Sequence, residues 1–272
     1  MQSRGGRATR ASAIALALVV GACGGPGASP SARPMEAATP DWRREVRLTA
    51  DEALGVARAF TGLPLVGATA GLMEPAALHT SYLVDADPWN IYVDAFAGRV
   101  LLASRGDIAT GRGPLLGEAE AIMRATAFLA GHGIPVPGVA PAAELVDHGA
   151  LQAWEVTWQG RSGRAFVPDT RRVELEAASG EVIGLFDDRL PYKPAPPPVV
   201  TEERAAAIAR VAAGMPNGDV EMSELWVWFD AAGAQVLVWR VQLSSPPDDP
   251  YPGGAMIDVD AITGDAVITG QG

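Results

Sequence analysis

A short motif occurs three times in this chain of 272 residues. Each copy has a run of alternating apolar residues, then a carboxylate, a glycine four residues later, and a second apolar run. Alternation predicts β-strands, and a turn signal between two such runs predicts a hairpin. The copies lie at 92–102, 173–183 and 256–268, and their candidate turn residues are Asp94 with Gly98, Glu176 with Gly180, and Asp260 with Gly264.

These residue types suit a turn. A carboxylate can accept hydrogen bonds from the backbone N–H groups of the turn that it opens, and glycine adopts positive φ without a steric clash. Acid–base catalysis is an alternative role for the three carboxylates, but their identical place in three hairpins favours a structural one. The glycines are 82 and 84 residues apart, and such regular spacing predicts tandem repeats.

Each copy is preceded by a segment with helical periodicity. In the first segment, Thr49 and Glu52 have the spacing of a capping box. The second follows Gly117 and has acidic residues in its first turn, where the helix dipole favours them. Between helix and motif, Trp154 and Trp239 stand 26 and 25 residues before the glycines of their copies. We therefore expect them at matching places.

This order of elements predicts an α+β fold of tandem units, each with one helix packed on a small antiparallel sheet. The predicted units are 46–110, 114–190 and 199–270. Between the last two, the proline-rich stretch 191–198 is typical of a stiff, extended linker. A long strand in the second unit is expected to be interrupted at Pro168.

The amino terminus is typical of an exported lipoprotein. Residues 1–22 combine three arginines with a short apolar run, which predicts a secretory signal peptide. Cys23, the only cysteine, follows Val-Gly-Ala and stands where a bacterial lipobox places the lipidated residue. The alternative is an ordinary signal peptide that is cut near a cysteine. Residues 23–45 predict a flexible tether, so we expect a protein held by lipid at the extracytoplasmic face of the cell membrane.

Charge and cysteine content exclude several kinds of interaction. The net charge is −11, and removal of the signal peptide with its three arginines makes it about −14. Such an acidic chain is not expected to bind nucleic acid or anionic lipid headgroups. It permits a basic partner or divalent cations, although an acidic surface also serves simply to keep a protein in solution. With a single cysteine, no disulfide can form within the chain.

Few residues suggest catalytic or metal-binding chemistry. The three histidines, His79, His132 and His148, are isolated, and the sequence has no His-Glu-x-x-His or Gly-x-Ser-x-Gly motif. Two acidic loops, 85–87 and 247–251, supply few oxygen ligands for calcium, so solvated loops are the simpler interpretation. We therefore expect no cofactor, no metal and no enzyme activity.

One strand-like run, 225–229, is apolar or aromatic on both faces. One face is expected to meet a helix. The other is expected either to pack on a neighbouring unit, which is the simpler interpretation, or to be exposed for a partner.

The repeated motif resembles that of the PepSY family of extracytoplasmic modules. The best copy is 259–267, Val-Asp-Ala-Ile-Thr-Gly-Asp-Ala-Val; the first copy has Ala97 at the hydroxyl position, and the second has Glu176 in place of aspartate. The resemblance covers 46–270 and implies tandem PepSY-like units with a cystatin-like fold. For function it implies binding and restraint of cell-envelope peptidases without catalysis, and it supplies no catalytic residue.

The predicted function is therefore that of a non-catalytic, membrane-anchored binding protein that binds or restrains secreted or cell-envelope peptidases. Exposed strand edges are expected to take an extended peptide by strand addition. The alternative is a structural or assembly lipoprotein of the cell envelope with no effect on proteolysis. An enzyme would need a polar pocket with converging titratable groups, which the sequence does not display.

Overall fold

The helices begin where the sequence supplies capping groups. A computed structural model describes residues 45–73, 80–108, 111, 113–149, 151–230, 233–245 and 253–271. The helices of this part of the chain are α1 (Ala50–Thr61), α2 (Glu118–Gly131) and α3 (Glu202–Ala212). Thr49 and Glu52 form the capping box of α1, and Gly62 ends that helix in the left-handed conformation. Among the described residues, no helix has both the length and the hydrophobicity needed to cross a membrane.

In the described part of the chain, four strands follow each helix. After α1 come β1 (Thr69–Met73), β2 (Ser81–Ala86), β3 (Trp89–Asp94) and β4 (Val100–Arg105). After α2 come β5 (Ala142–Asp147), β6 (Gln152–Ser162), β7 (Ala165–Glu176) and β8 (Val182–Arg189). After α3 come β9 (Asp219–Phe229), β10 (Gln235–Ser244), β11 (Gly254–Asp260) and β12 (Ala266–Gln271).

These strands form one continuous mixed sheet, so the predicted fold class, with separate units that each have their own small antiparallel sheet, is wrong. The strand order is β1-β2-β3-β4-β8-β7-β9-β10-β11-β12, and β5 and β6 branch from β7. Two junctions create this continuity. β4 pairs antiparallel with β8 from Leu102 to Ser104, and β7 meets β9 in parallel at Phe166 and Trp226. The physical reason is that the last strand of a small sheet has unpaired backbone groups, which a neighbouring edge can satisfy.

Small side chains allow the helices to lie close to the sheet. The fully buried residues of the helices are mostly alanines spaced four apart, which places them on one helix face. They are Ala53 and Ala57 in α1, Ala121, Ala125 and Leu129 in α2, and Ala205 and Ala209 in α3. Leu54 and Phe60 of α1 are only partly buried and pack at the margin of the same core.

The apolar interior has two parts. One combines α1 and α2 with the strands from β2 to β8, and includes the buried residues Ile91, Leu129 and Trp158. The other surrounds α3 and the strands from β9 to β12, and includes Ala165 and Val167 of β7. The described residues all belong to one compact unit, and β7 contributes to both parts of its interior.

Two proline-containing segments are integrated into this structure. β7 runs without interruption through Pro168, contrary to expectation, because the pairing with β6 is irregular between Gln159 and Arg161 and tolerates a residue without an N–H. In 191–198, the Lys193 N–H donates to Gln235 Oε1 at 2.7 Å, and Gln235 Nε2 donates to the Lys193 carbonyl oxygen at 2.8 Å. This segment is therefore attached to β10.

Candidate functional site

The three motif carboxylates lie in equivalent turns, between β3 and β4, β7 and β8, and β11 and β12. Asp94 Oδ1 accepts hydrogen bonds from the N–H groups of Phe96 and Ala97 at 2.9 and 3.0 Å. Asp260 Oδ1 accepts two at 2.8 Å, from residues 262 and 263. In all three turns the glycine N–H donates to the backbone carbonyl oxygen of the carboxylate residue at 2.8 to 2.9 Å.

Glu176 has a longer reach than the two aspartates. Its Oε2 accepts hydrogen bonds from the N–H groups of Ala178 and Ser179 at 3.1 and 2.5 Å, while Oε1 accepts one from Gly111 at 3.0 Å. Burial raises the pKa of Glu176, but the hydrogen bonds from Ser179, Gly111 and Ala178 outweigh it and hold that pKa below its ordinary value of 4.5. The additional methylene thus ties the segment before α2 to the turn.

The three motif glycines adopt the left-handed conformation, with φ values of 66° at Gly98, 70° at Gly180 and 83° at Gly264. A Cβ atom on Gly180 would lie 2.7 Å from Leu116 Cδ1, whereas one on Gly264 would come no closer than 3.4 Å to another side chain. All three positions favour glycine for their φ, but only Gly180 is also crowded by the start of a helix.

A further set of contacts joins each turn to the start of its helix. The alanine after each carboxylate is fully buried, and its carbonyl oxygen accepts from the N–H of the residue before the helix N-cap at 2.8 to 3.0 Å. The carbonyl oxygen of that same residue accepts from an aromatic side chain on the second strand of each set. The donors are Tyr82 to Leu48 at 2.8 Å, Trp154 to Leu116 at 3.1 Å and Trp239 to Val200 at 2.8 Å.

The sequence spacing matches Trp154 with Trp239 but does not identify Tyr82 as the third member. Tyr82 stands only 16 residues before Gly98, because the strands between them are shorter, so a search at constant spacing does not find it. An aromatic residue on the second strand after each helix was the available signal.

The motif carboxylates contact backbone groups. In the described residues the motif carboxylates belong to three different hairpins and accept hydrogen bonds from backbone N–H groups. Asp94 also lies 3.6 Å from the Arg99 guanidinium. No group of three or more His, Cys, Asp or Glu residues in the described part of the chain could hold a metal ion.

The histidines differ in their surroundings. His132 is the C-cap of α2, and its ring nitrogens lie 2.8 Å from the Phe128 carbonyl oxygen and 3.0 Å from that of Phe60. It therefore connects the ends of α1 and α2. His148 is exposed in the turn between β5 and β6. Cys23, His79 and the acidic loop 247–251 lie outside the described residues.

The aromatic strand β9 packs on other strands of the sheet. Trp226 stacks on Phe166 of β7 with 4.8 Å between ring centroids. The Arg240 guanidinium lies 5.4 Å from the Trp226 ring and 5.0 Å from the Trp228 ring, and two hydrogen bonds to Asp258 hold it there. Both tryptophans are partly buried, so this face of 225–229 meets a neighbouring strand and an arginine.

Three strands of the described sheet are paired on one side only: β1 with β2, β5 with β6, and β12 with β11. A free edge can pair with another chain, and proteins protect such edges with charges, prolines or bulges. β5 carries two exposed acids, Glu144 and Asp147. It therefore has a charged edge.

β12 is protected in a different way. Its pairing with β11 passes from Ile257–Ile268 to Met256–Gly270, so Thr269 bulges out of register and its hydroxyl donates to the Met256 carbonyl oxygen at 3.2 Å. Thr269 is the fifth residue after its motif glycine. The fifth residues after the other two motif glycines are Ala103 of β4 and Leu185 of β8, and these two pair with each other. The bulge in β12 thus lies at the position where the equivalent strands β4 and β8 join.

β1 has neither form of protection. It reads Thr-Ala-Gly-Leu-Met, with no charge and no proline, and pairs with β2 in unbroken register over its five residues. Leu72 and Met73 are 49% and 42% exposed. Of the described edges, β1 is therefore the one best suited to accept another strand.

A groove of about 470 Å³ lies at the end of β1 where the strand begins. The loop after α1, residues 63–68, forms one side, and the turn residues 85–87 form the other. The sequence pattern does not predict β1, although the three apolar residues in Leu-Pro-Leu-Val, 63–66, indicate an apolar surface just before it.

Comparisons with known proteins leave the family open. No family model matches the chain. No curated protein matches it either. Among solved structures, the chain is similar to the C-terminal domain of YpeB from Bacillus megaterium, with a TM-score of 0.44 and 17% identity, over 83% of this chain and 100% of that chain. The resemblance to the PepSY family therefore stays a prediction.

Proposed function

We propose that this protein is a non-catalytic binding protein that takes an extended peptide segment of a partner protein onto the edge of β1. The observation that supports this is the contrast among the edges of the described sheet: β5 is charged, β12 is bulged, and β1 is regular, uncharged and exposed. An unprotected edge has backbone N–H and C=O groups available for another strand.

Strand addition at β1 would use backbone hydrogen bonds for affinity and side-chain contacts for selectivity. β1 has five residues, which limits the number of backbone bonds and predicts modest affinity for a short peptide. A dissociation constant of about 100 μM is a reasonable expectation for such a probe. A whole partner protein with further contacts would bind more tightly.

A direct test uses a soluble nine-residue peptide of alternating threonine and valine, with a fluorescent label, and the detergent-purified full-length chain. Fluorescence anisotropy should show saturable binding. Two versions, N-methylated on alternate residues along one edge or the other, provide the control, because only one edge of the peptide can donate to β1. Strand addition requires that one version loses binding and the other keeps it; equal binding of both, or no binding of the parent peptide, excludes the proposal.

The partner class and the location are finer parts of the same proposal. The sequence resemblance makes secreted and cell-envelope peptidases the first partners to test, and Cys23 would anchor the protein at the extracytoplasmic face of the membrane. Saturating amounts of the protein should slow cleavage of a peptide substrate by a purified secreted metallopeptidase. If they do not, the peptidase is excluded as partner while β1 remains a binding edge, and the role of an envelope assembly lipoprotein is favoured.

A further inference from the structure

The groove beside β1, lined by residues 63–69 and 85–87, is continuous with the proposed binding edge. Thr69 is the first residue of β1, pairs with Asp85 of β2, and both residues line the groove. A strand that pairs along β1 spans about 17 Å over five residues. If it continues past Thr69, its next residues pass the loop that forms one side of the groove, and a long side chain at that point would have to reach over the loop toward Asp85.

One side of the groove is apolar, and its backbone adopts an unusual positive φ at one residue. Leu65 is buried with a φ of 45°, a value that residues with a Cβ rarely adopt, and the adjacent Val66 is 91% exposed. Leu63, two residues earlier, is also exposed. The loop therefore presents two aliphatic side chains to solvent beside the groove.

The other side is acidic. Asp85 and Asp87 are both exposed, and in the described part of the chain no cation lies within ion-pair distance of either carboxylate. Two carboxylates supply too few oxygens for a calcium site. A lysine or arginine side chain has the matching chemistry, because its aliphatic stem can lie on Leu63 and Val66 while its charged end meets the carboxylates.

From this geometry we infer that the groove selects a basic residue in the bound peptide: the partner segment is an extended strand with a lysine or arginine just beyond the residues that pair with β1. The inference rests on the proposed function of β1. The net charge of −11 adds a long-range attraction for basic segments. The groove determines which position of the peptide must be basic.

The test uses the threonine–valine peptide with a lysine at each end, and a twin with glutamate at each end. At low salt the lysine peptide should bind the full-length chain about fivefold more tightly, which is the upper range for a partly exposed ion pair. The double variant Asp85→Asn with Asp87→Asn should remove most of this preference and leave only the smaller long-range part that comes from the net charge.

A matched double variant, Glu144→Gln with Asp147→Asn, removes two exposed charges from the edge of β5 and should leave the ratio unchanged. If both double variants reduce the ratio equally, the preference comes from overall charge, and the groove is not the site. If both peptides bind wild-type protein equally and one N-methylated version fails to bind, strand addition stands and the basic specificity is overturned. If neither peptide binds, the proposed function itself fails.

Discussion

The Arg99 guanidinium donates through Nη2 to the backbone carbonyl oxygen of Arg189 at 2.6 Å. Arg99 follows Gly98 in the first motif, and Arg189 ends β8, so this bond crosses the junction of β4 and β8. At the other end of the junction, Arg105 of β4 is paired with Glu181 next to the second motif glycine. Three residue pairs form the strand junction, and a charged contact closes it at each end.

Replacement of Arg99 by alanine should weaken this junction. Arg99 also lies 3.7 Å from the buried Asp187 carboxylate. After the replacement, that carboxylate would still have Arg171 and Arg189 as partners. Because these partners remain, we expect a loss of about 2 kcal/mol in the free energy of unfolding, below the usual cost of leaving a buried charge without a partner. Urea denaturation measures it.

The exposed Arg164 provides the control for this prediction. Its guanidinium lies 3.5 Å from Glu202 and the side chain is 80% exposed, so Arg164→Ala should change the free energy of unfolding by less than about 0.5 kcal/mol. Equal effects of the two variants would show that Arg99 does not stabilise the strand junction.

Tyr82→Phe should destabilise the protein by about 1 kcal/mol, because the Leu48 carbonyl oxygen loses the donor at 2.8 Å while the ring is retained. Tyr92→Phe on the next strand is the matched control, and we expect a change within about 0.5 kcal/mol. Both values come from thermal or chemical unfolding of the same preparation. If Tyr92→Phe were as damaging as Tyr82→Phe, the hydroxyl bond to the start of α1 would have no special role.

The motif glycines should differ in their tolerance of alanine. Both Gly180→Ala and Gly264→Ala place a Cβ at positive φ, which costs about 1 kcal/mol. At Gly180 the new Cβ would also lie 2.7 Å from Leu116 Cδ1, whereas at Gly264 it would meet no atom closer than 3.4 Å. The resulting overpacking adds about 1 kcal/mol or more to the cost of Gly180→Ala. The unfolding midpoint in urea should therefore fall further for Gly180→Ala, and the reverse order would contradict this account.

Local chemistry explains why the turns could be predicted and the sheet could not. A carboxylate followed by a glycine four residues later indicates its own turn, since all the bonds lie within a few residues. The pairing of β4 with β8 joins Ala103 to Leu185. Their side chains would suit the edge strand of a separate small sheet as well as they suit this junction. Nothing in either segment alone specifies that the two edges meet.

The candidate site cannot be predicted from the sequence for a related reason. β1 contains Gly71 and has no apolar alternation, so neither propensity nor periodicity predicts a strand. It forms because β2 offers a free edge, which is a tertiary effect. His132 is similar: its contact with the Phe60 carbonyl oxygen joins residues 72 apart and follows from the approach of two helices.

Lipidation of Cys23 can be tested by cell fractionation. The wild-type chain, expressed in a bacterial host, should enter the membrane fraction and require detergent for release, because two acyl chains give stable anchoring. Cys23→Ser should move the protein to the soluble fraction, while Ser29→Ala in the same tether should not. Mass spectrometry of the mature amino terminus identifies the lipid, and an unmodified cysteine in soluble wild-type protein would exclude the anchor.

Glu176 should make stability depend on pH in the acid range. Its pKa is lower in the folded protein than the ordinary value of 4.5, so its contribution to the free energy of unfolding is complete above about pH 4.5 and is lost as the pH falls through the folded-state pKa.

Glu176→Gln keeps an oxygen for Ala178 and Ser179, but its amide nitrogen cannot accept from Gly111. At neutral pH we therefore expect a loss of about 1 to 2 kcal/mol, and the difference from wild type should shrink as the pH falls through the folded-state pKa. Urea denaturation across this range measures both curves, with the exposed Glu144→Gln as a control that should follow wild type. Parallel curves for Glu176→Gln and wild type would mean that the carboxylate does not carry this pH dependence.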